Sequence, residues 1–296
     1  MTVMIDQIRP QPQKNSRSEW RRVLANLKEI AGLHGPHRRR PRAPAAAGLA
    51  AARREQEGQG TGNAAGRPLV WGGTMKFLLR RIDRRRDDWK QNPFFELLAA
   101  KDDMGFLAEF SRRLSLWALA SQDVRRAVAG SVRETALRGI AIHQAAEDRN
   151  LEARFLRDMA SIGVIVPGAG ELFHDDHAPA RCAAYAILAE VNMARTEPGK
   201  IAVLLALEAA TDVFFVHTAG FVRRMGFSGL EYYSEDHLKQ RSTFEVATRE
   251  IFHRRQLDAG ELREVLLVVD SCFEVMDVLF RDILDAMSKW KVRHAA

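Results

Sequence analysis

From Lys76 onward, apolar residues recur every three or four positions with polar residues between them, which is the spacing of amphipathic helices. Pro198-Gly199, Gly226 and Gly260 interrupt this pattern and indicate helix ends. No segment alternates apolar and polar residues for long enough to predict a strand. The pattern therefore predicts an all-α fold, with helices over residues 76–90, 93–101, 104–121, 122–148, 150–163, 178–196, 199–225, 229–255 and 259–289.

Residues 1–74 differ from the rest of the chain in composition. They carry 13 Lys or Arg and five Asp or Glu, a charge of +8, so they account for the formal charge of +7 on the whole protein. Stretches this rich in Pro, Arg, Ala and Gly bury too little apolar surface to fold. We predict a disordered basic N-terminal leader over residues 1–74 and a helical domain over residues 75–296. Its short basic run, Arg38–Arg42, is typical of a solvated tail, so a nucleic-acid partner is not expected.

The segment 201–222 is apolar on almost every face, which predicts the central helix of a bundle. A membrane span is the competing interpretation, but Glu208 and Asp212 lie near its middle and carboxylates are costly in lipid. The first residues also lack the apolar core of a signal peptide, so we predict a cytoplasmic protein without a membrane partner. A buried carboxylate must be paired, protonated or bound to a metal. Glu208 is therefore either a site residue or half of a structural pair, and for Asp212 the structural role is favoured.

A second set of polar residues follows the predicted helix 122–148 and its continuation. His143, Glu147, Asn150 and Arg154 are spaced by four, three and four residues, so they share one face if a single helix passes through them. Histidine and glutamate at this spacing can bind one metal ion. An exposed ion pair has the same spacing and is commoner.

A third set lies in the predicted helix 229–255. Its more apolar stripe contains His237 and Arg241, so both are expected to face the core, while Asp236 lies on the neighbouring stripe. An inward histidine is more often hydrogen-bonded within a core than bound to a metal. Both roles stay open for His237.

Several segments match the motifs of a known family over roughly residues 90–255. Asn92-Pro-Phe-Phe-Glu-Leu-Leu resembles an opening His-Pro-Phe-Phe helix, and Glu147-Asp-Arg-Asn resembles a Glu-x-x-His motif. Tyr232-Tyr-Ser-Glu-Asp-His resembles the start of an aromatic pair followed by His-x-x-x-Asp-x-x-His, and Glu208 matches a glutamate on the buried helix. On these motifs the chain resembles the iron-containing redox enzymes of the haem-oxygenase-like diiron oxidase group, relatives of the thiaminase II and pyrroloquinoline-quinone synthase folds.

The resemblance implies a haem-oxygenase-like helical bundle that binds iron in its interior, activates dioxygen and oxidises a small amine, amino acid or fatty-acid-like substrate. Carboxylates and imidazoles suit iron, and a bundle interior lets several helices direct them to one point. By this resemblance the metal ligands are Glu147, Glu208 and His237. Weaker candidates are His143, Asn150 and Asp236.

Three of the six ligands that the family uses are missing from this sequence. The first-motif histidine is Asn150, and the last motif has Arg241 and Phe244 where its aspartate and final histidine stand. A guanidinium cannot bind a cation, so we hypothesise an incomplete diiron site in which Arg241, helped by Arg154, neutralises the carboxylates. The alternative is a metal-free, non-catalytic relative whose pocket binds a small molecule or a partner. The apolar stripe of helix 259–289 predicts either a homodimer or closure of the chain's own core.

Overall fold

The computed structural model describes residues 73–147, 149–234 and 257–294, and the side chains of residues 76–146, 149–234 and 257–288. Every regular element in this part of the chain is a helix, so the all-α prediction is confirmed there. The predicted disordered leader lies outside the described residues, apart from the start of the first helix. So do Asp236, His237 and Arg241.

The bundle is built from long helices joined by short connections. Two 3-10 turns, Glu171–Phe173 and Asp175–His177, lie in the longest described connection. The α-helices are α1 Gly73–Trp89, α2 Pro93–Ala100, α3 Met104–Ser131, α4 Thr135–Glu147, α5 Leu151–Ser161, α6 Ala178–Met193, α7 Glu197–Arg224 and α8 Ala259–His294.

The centre of the bundle is α7. It packs most extensively against α8 and also contacts α1, α2, α4 and α6, while α3 packs against α4, α5 and α6. Within the described residues, α7 is the one helix long and apolar enough to cross a membrane, but 78% of its apolar window is buried inside the protein. Such burial is typical of a core helix in a soluble protein, which is the role that the sequence predicted.

The Asn92-Pro-Phe-Phe segment begins α2 and joins it to the core. The Asn92 side chain accepts a hydrogen bond from the backbone N–H of Phe94 (3.0 Å) and donates one to the carboxylate of Asp277 on α8 (2.8 Å). The Phe94 ring stacks on Phe110 of α3, with centroids 4.2 Å apart, and meets Phe280 of α8 edge-on at 5.0 Å. This cap and aromatic cluster explain why a helix of eight residues holds its position.

The apolar stripe of α8 is buried within this chain. Val268, Phe273, Met276, Leu279 and Phe280 are each at most 2% exposed. The stripe therefore closes the core of its own bundle, which was one of the two predicted roles. The homodimer stays a prediction.

The predicted boundary between residues 121 and 122 is wrong, because α3 continues to Ser131 and the chain breaks at residues 132–134. The cause is a contact that is distant in sequence. The Glu197 carboxylate, at the start of α7, accepts hydrogen bonds from the backbone N–H groups of Arg133 (2.8 Å) and Glu134 (2.5 Å). The Lys200 ammonium donates to the carbonyl of Ser131 (3.1 Å). These two α7 side chains stabilise the helix ends on both sides of the break.

The predicted helix 229–255 does not begin at residue 229. Residues 229–234 are non-helical, and the remainder of that prediction lies outside the described residues. Gly229 has a φ of 93°, which a residue with a side chain rarely adopts and which interrupts any helix. The chain here bends over α5, where Asp158 accepts its backbone N–H groups.

Candidate functional site

Glu208 lies inside the bundle near the middle of α7 and is 7% exposed. The Gln144 side-chain amide, on α4, donates a hydrogen bond of 2.8 Å to the Glu208 Oε2 atom. Gln144 is itself buried, and its Oε1 atom accepts no hydrogen bond from the described residues. The prediction that Glu208 is an interior carboxylate is confirmed, and its described contact is with a neutral amide from a neighbouring helix.

A second glutamine extends this polar interior. Gln122 of α3 donates from Nε2 to the backbone carbonyl of Ala145 (3.0 Å), next to Gln144, and no donor in the described part of the chain reaches its buried Oε1 atom. The group formed by Gln122, Gln144 and Glu208 is called the acceptor cluster below. Two buried amide oxygens that lack donors from the described segments are unusual, because nearly all polar atoms in a core are satisfied. Chemically, the cluster favours a species that supplies N–H or O–H donors, or a hard cation.

The sequence did not single out the two glutamines, although a signal for Gln144 was present. Gln144 follows Leu137, Ile140 and Ala141 at helical spacing on the buried face of α4, and those three residues are at most 6% exposed. A polar residue on an apolar stripe must find a polar partner inside the core. A neutral amide is not a typical iron ligand, so a pattern of metal-binding residue types does not predict Gln144 as a site residue.

The predicted stripe from His143 to Arg154 does not lie on one helix face. The helix α4 ends at Glu147, and Asn150 is the N-cap residue of α5, so no helix runs through these positions. His143 is exposed, next to the inward-facing Gln144. Asn150 is exposed as well, and the Glu147 side chain lies outside the described residues. Asp212 is half-buried on α7, one turn beyond Glu208.

The described residues do not by themselves fit an iron centre. Among their side chains, no three His, Cys, Asp or Glu residues are grouped closely enough to hold a metal ion. Glu208 supplies one carboxylate, and the nearby amide oxygens are weak ligands for iron compared with imidazole. The remaining ligands that the family resemblance assigns, Glu147 and His237, have no described side chains.

The segment that follows α7 is held by a buried carboxylate. Asp158 of α5 is 1% exposed and accepts hydrogen bonds from the backbone N–H groups of Glu231 (2.8 Å), Tyr232 (2.8 Å) and Tyr233 (3.0 Å). Burial raises the pKa of Asp158 above its ordinary value, although the three N–H donors oppose that shift. The sequence gave no sign of this role, because the segment lies more than seventy residues away along the chain.

The two tyrosines of the last motif face the core. Tyr233 is fully buried, and its hydroxyl group lies 2.6 Å from the Ser111 Oγ atom of α3. Burial raises the pKa of Tyr233 well above its ordinary value, so the phenol stays neutral and serves as a hydrogen-bonding group. Tyr232 packs edge-on against Phe155 and Phe215, at 5.1 Å from each. The aromatic pair therefore positions the segment that leads toward His237.

A cleft of about 720 Å³ opens at the C-terminal end of α7. One wall of the cleft is apolar, and another carries arginines, including Arg154. Glu208 is not among the residues that line this cleft. A cleft of this size accommodates a small organic molecule. It is lined by Arg154, Ala219, Val222, Arg223, Gly226, Phe227, Ser228, Gly229, Leu230, Glu231, Tyr233 and Ser234.

Comparison with known proteins assigns no family to this chain. Neither a protein-family model nor a curated protein matches the sequence. The described part of the chain is all-helical, with a buried carboxylate near the middle of its central helix.

Proposed function

We propose that this protein is an iron-containing redox enzyme-like protein on the haem-oxygenase-like plan, with an interior site centred on Glu208 that is an incomplete diiron centre. The observation that supports the proposal is the burial of Glu208 in the middle of the central helix, bonded to Gln144, whose amide oxygen accepts no hydrogen bond from the described residues. A buried carboxylate with acceptors around it favours a cation as its partner. Glu147 and His237 are the proposed further ligands, and the substrate is a small amine, amino acid or fatty-acid-like molecule in the cytoplasm.

The ligand set limits this site to one iron. Asn150 and Arg241 stand where the family has metal ligands, and Asn150 is exposed at the start of α5. Two carboxylates and one imidazole are three ligands of types that bind iron, enough to hold one ion with open positions but too few for two. When bound, iron would supply dioxygen activation; the described residues supply the carboxylate of Glu208 and the amide of Gln144 that orients it.

A metal-free relative that binds a small molecule or partner is the second candidate. The hydrogen bond from Gln144 to Glu208 favours it, because a neutral amide already satisfies one oxygen of the carboxylate. In that case Arg241 would balance the interior carboxylates instead of iron, without Arg154, which lines the cleft at the end of α7.

Metal analysis of the full chain, produced with ample iron, separates these candidates. We expect close to one iron per chain, lost in Glu208→Gln and kept in Asp212→Asn, the matched change one turn along α7. A metal content near zero in the unaltered protein would favour the metal-free candidate. Close to two irons per chain would contradict both, since the ligand set would then be complete.

A further inference from the structure

The cleft at the end of α7 has a fixed backbone frame. The helix ends with the N–H of Phe227 bonded to the carbonyl of Val222 (3.2 Å) and the N–H of Gly226 bonded to the carbonyl of Arg223 (3.1 Å). Gly226 has a φ of 66°, which makes it the left-handed residue that this type of helix end requires. Asp158 holds the other end of the loop through three N–H groups, as described above. The walls of the cleft are thus positioned on both sides.

One wall of the cleft is apolar. Val222 and Leu230 are buried, Phe227 is partly buried, and Ala219 completes this side. Their side chains offer a surface on which a short hydrocarbon can pack out of water.

The opposite side carries the guanidinium of Arg154. Glu231 also lines the cleft, and its carboxylate accepts two hydrogen bonds from Arg157, at 3.0 Å and 2.7 Å. These hydrogen bonds, together with the nearby charges of Arg157 and Arg154, lower the pKa of Glu231. No carboxylate of the described residues forms an ion pair with Arg154, which is half-buried and lines the cleft together with Arg223. A guanidinium in this position presents a fork of donors suited to a carboxylate or a phosphate.

The carbonyl groups at the C-terminal end of α7, if free, would carry partial negative charge and repel an anion. They are engaged, since Phe221, Val222 and Arg223 accept hydrogen bonds from the backbone N–H groups of residues 225, 227 and 226. These three carbonyl groups are therefore less repulsive to an anion placed beside Arg154.

We propose that this cleft binds a small organic anion, with an apolar body on the wall of Val222, Phe227 and Leu230 and its carboxylate or phosphate on Arg154. The site is separate from the acceptor cluster. Ala219 follows Glu208 by eleven residues, which is roughly 16 Å along the helix axis. The inference does not rest on the proposed iron site, and its test does not depend on iron content.

Isothermal titration of the full chain with hexanoate, hexyl phosphate and hexanamide tests the proposal. Hexanoate or hexyl phosphate is expected to bind, and the tighter of the two identifies the preferred head group. Hexanamide, which has the same body without the charge, is expected to bind at least about tenfold more weakly. Raising the salt concentration should weaken binding of the anions and leave the amide unchanged.

Substitutions of arginine test whether the anion binds at Arg154. Arg154→Ala should weaken anion binding by about tenfold or more, and Arg154→Lys should recover part of it, because lysine restores the charge without the fork. The matched control is Arg149→Ala, an exposed arginine outside the cleft, which should change affinity by about twofold or less. Circular dichroism confirms that each variant is folded.

Three results would overturn the proposal. They are binding of neither anion, equal binding of hexanamide and hexanoate, and an equal loss of affinity in Arg149→Ala and Arg154→Ala. The last result would mean that the net charge of the protein, and not the cleft, attracts the anion.

Discussion

Two groups of buried or half-buried carboxylates can be compared in the described part of this bundle, because they make different contacts. Asp158, Glu197 and Glu264 are at helix junctions, where each accepts hydrogen bonds from two or three backbone N–H or hydroxyl groups of a distant segment. For Glu264 the donors are the N–H groups of Arg195 (2.8 Å) and Thr196 (3.0 Å) and the Thr196 hydroxyl (2.6 Å). Glu208 accepts from the side-chain amide of Gln144.

The difference follows from backbone chemistry. At a helix end the first N–H groups have no partner in the helix, so a carboxylate from elsewhere can bind several of them. In the middle of α7 every neighbouring N–H is used by the helix itself, and Glu208 must find its partners among side chains or ligands. The junction carboxylates therefore stabilise helix ends, whereas the central carboxylate binds side-chain partners.

The largest effect is expected for Asp158→Ala. Three buried N–H groups would lose their acceptor, and leaving such groups unsatisfied should lower the free energy of unfolding by about 3 kcal/mol. Asp158→Asn keeps one acceptor oxygen and should lose about half as much. Urea unfolding followed by circular dichroism measures both.

The control for Asp158 is Asp123→Ala, which removes an exposed aspartate that pairs with Arg126 on the same helix. A loss of less than about 0.5 kcal/mol is expected there. If Asp158→Ala lowered the free energy of unfolding no more than this control, the hydrogen bonds from Asp158 to residues 231–233 would not stabilise the fold. The comparison would then lack its clearest example of a junction carboxylate.

A smaller loss is expected for Glu197→Ala, at the junction between α3 and α4. Two N–H groups lose their acceptor at a partly exposed position where water can replace it, so the free energy of unfolding should fall by about 1.5 kcal/mol. The matched variant is Glu261→Ala, also a first-turn glutamate, whose carboxylate accepts a hydrogen bond from the nearby Asp258 N–H (3.1 Å). If both variants lowered the free energy of unfolding equally, Glu197 would act only on the first turn of its own helix and not on the break between α3 and α4.

The sequence predicted the parts of the fold that depend on local periodicity. The buried central helix and its interior Glu208 follow directly from apolar spacing, and so does the start of α2 at Asn92-Pro-Phe-Phe. The break after Ser131 and the non-helical residues 229–234 depend on Glu197 and Asp158, which are sixty or more residues away, so no local pattern could reveal them. Gln144 was missed for a different reason, because a neutral amide carries no charge to mark it as a site residue.

The smallest effect is expected for Glu208→Gln, and it decides whether the comparison holds. The amide keeps an oxygen that can accept from Gln144, and it removes a buried charge whose desolvation is unfavourable. The free energy of unfolding of the metal-free protein should therefore change by less than about 1 kcal/mol, in either direction. The exposed Glu96→Gln is the matched control, measured by the same urea titration. A loss of 2 kcal/mol or more, absent from the control, would place Glu208 with the junction carboxylates as a structural residue. A small change would instead show that the charge of Glu208 does not stabilise the fold. That result is expected for a carboxylate whose role is to bind a ligand.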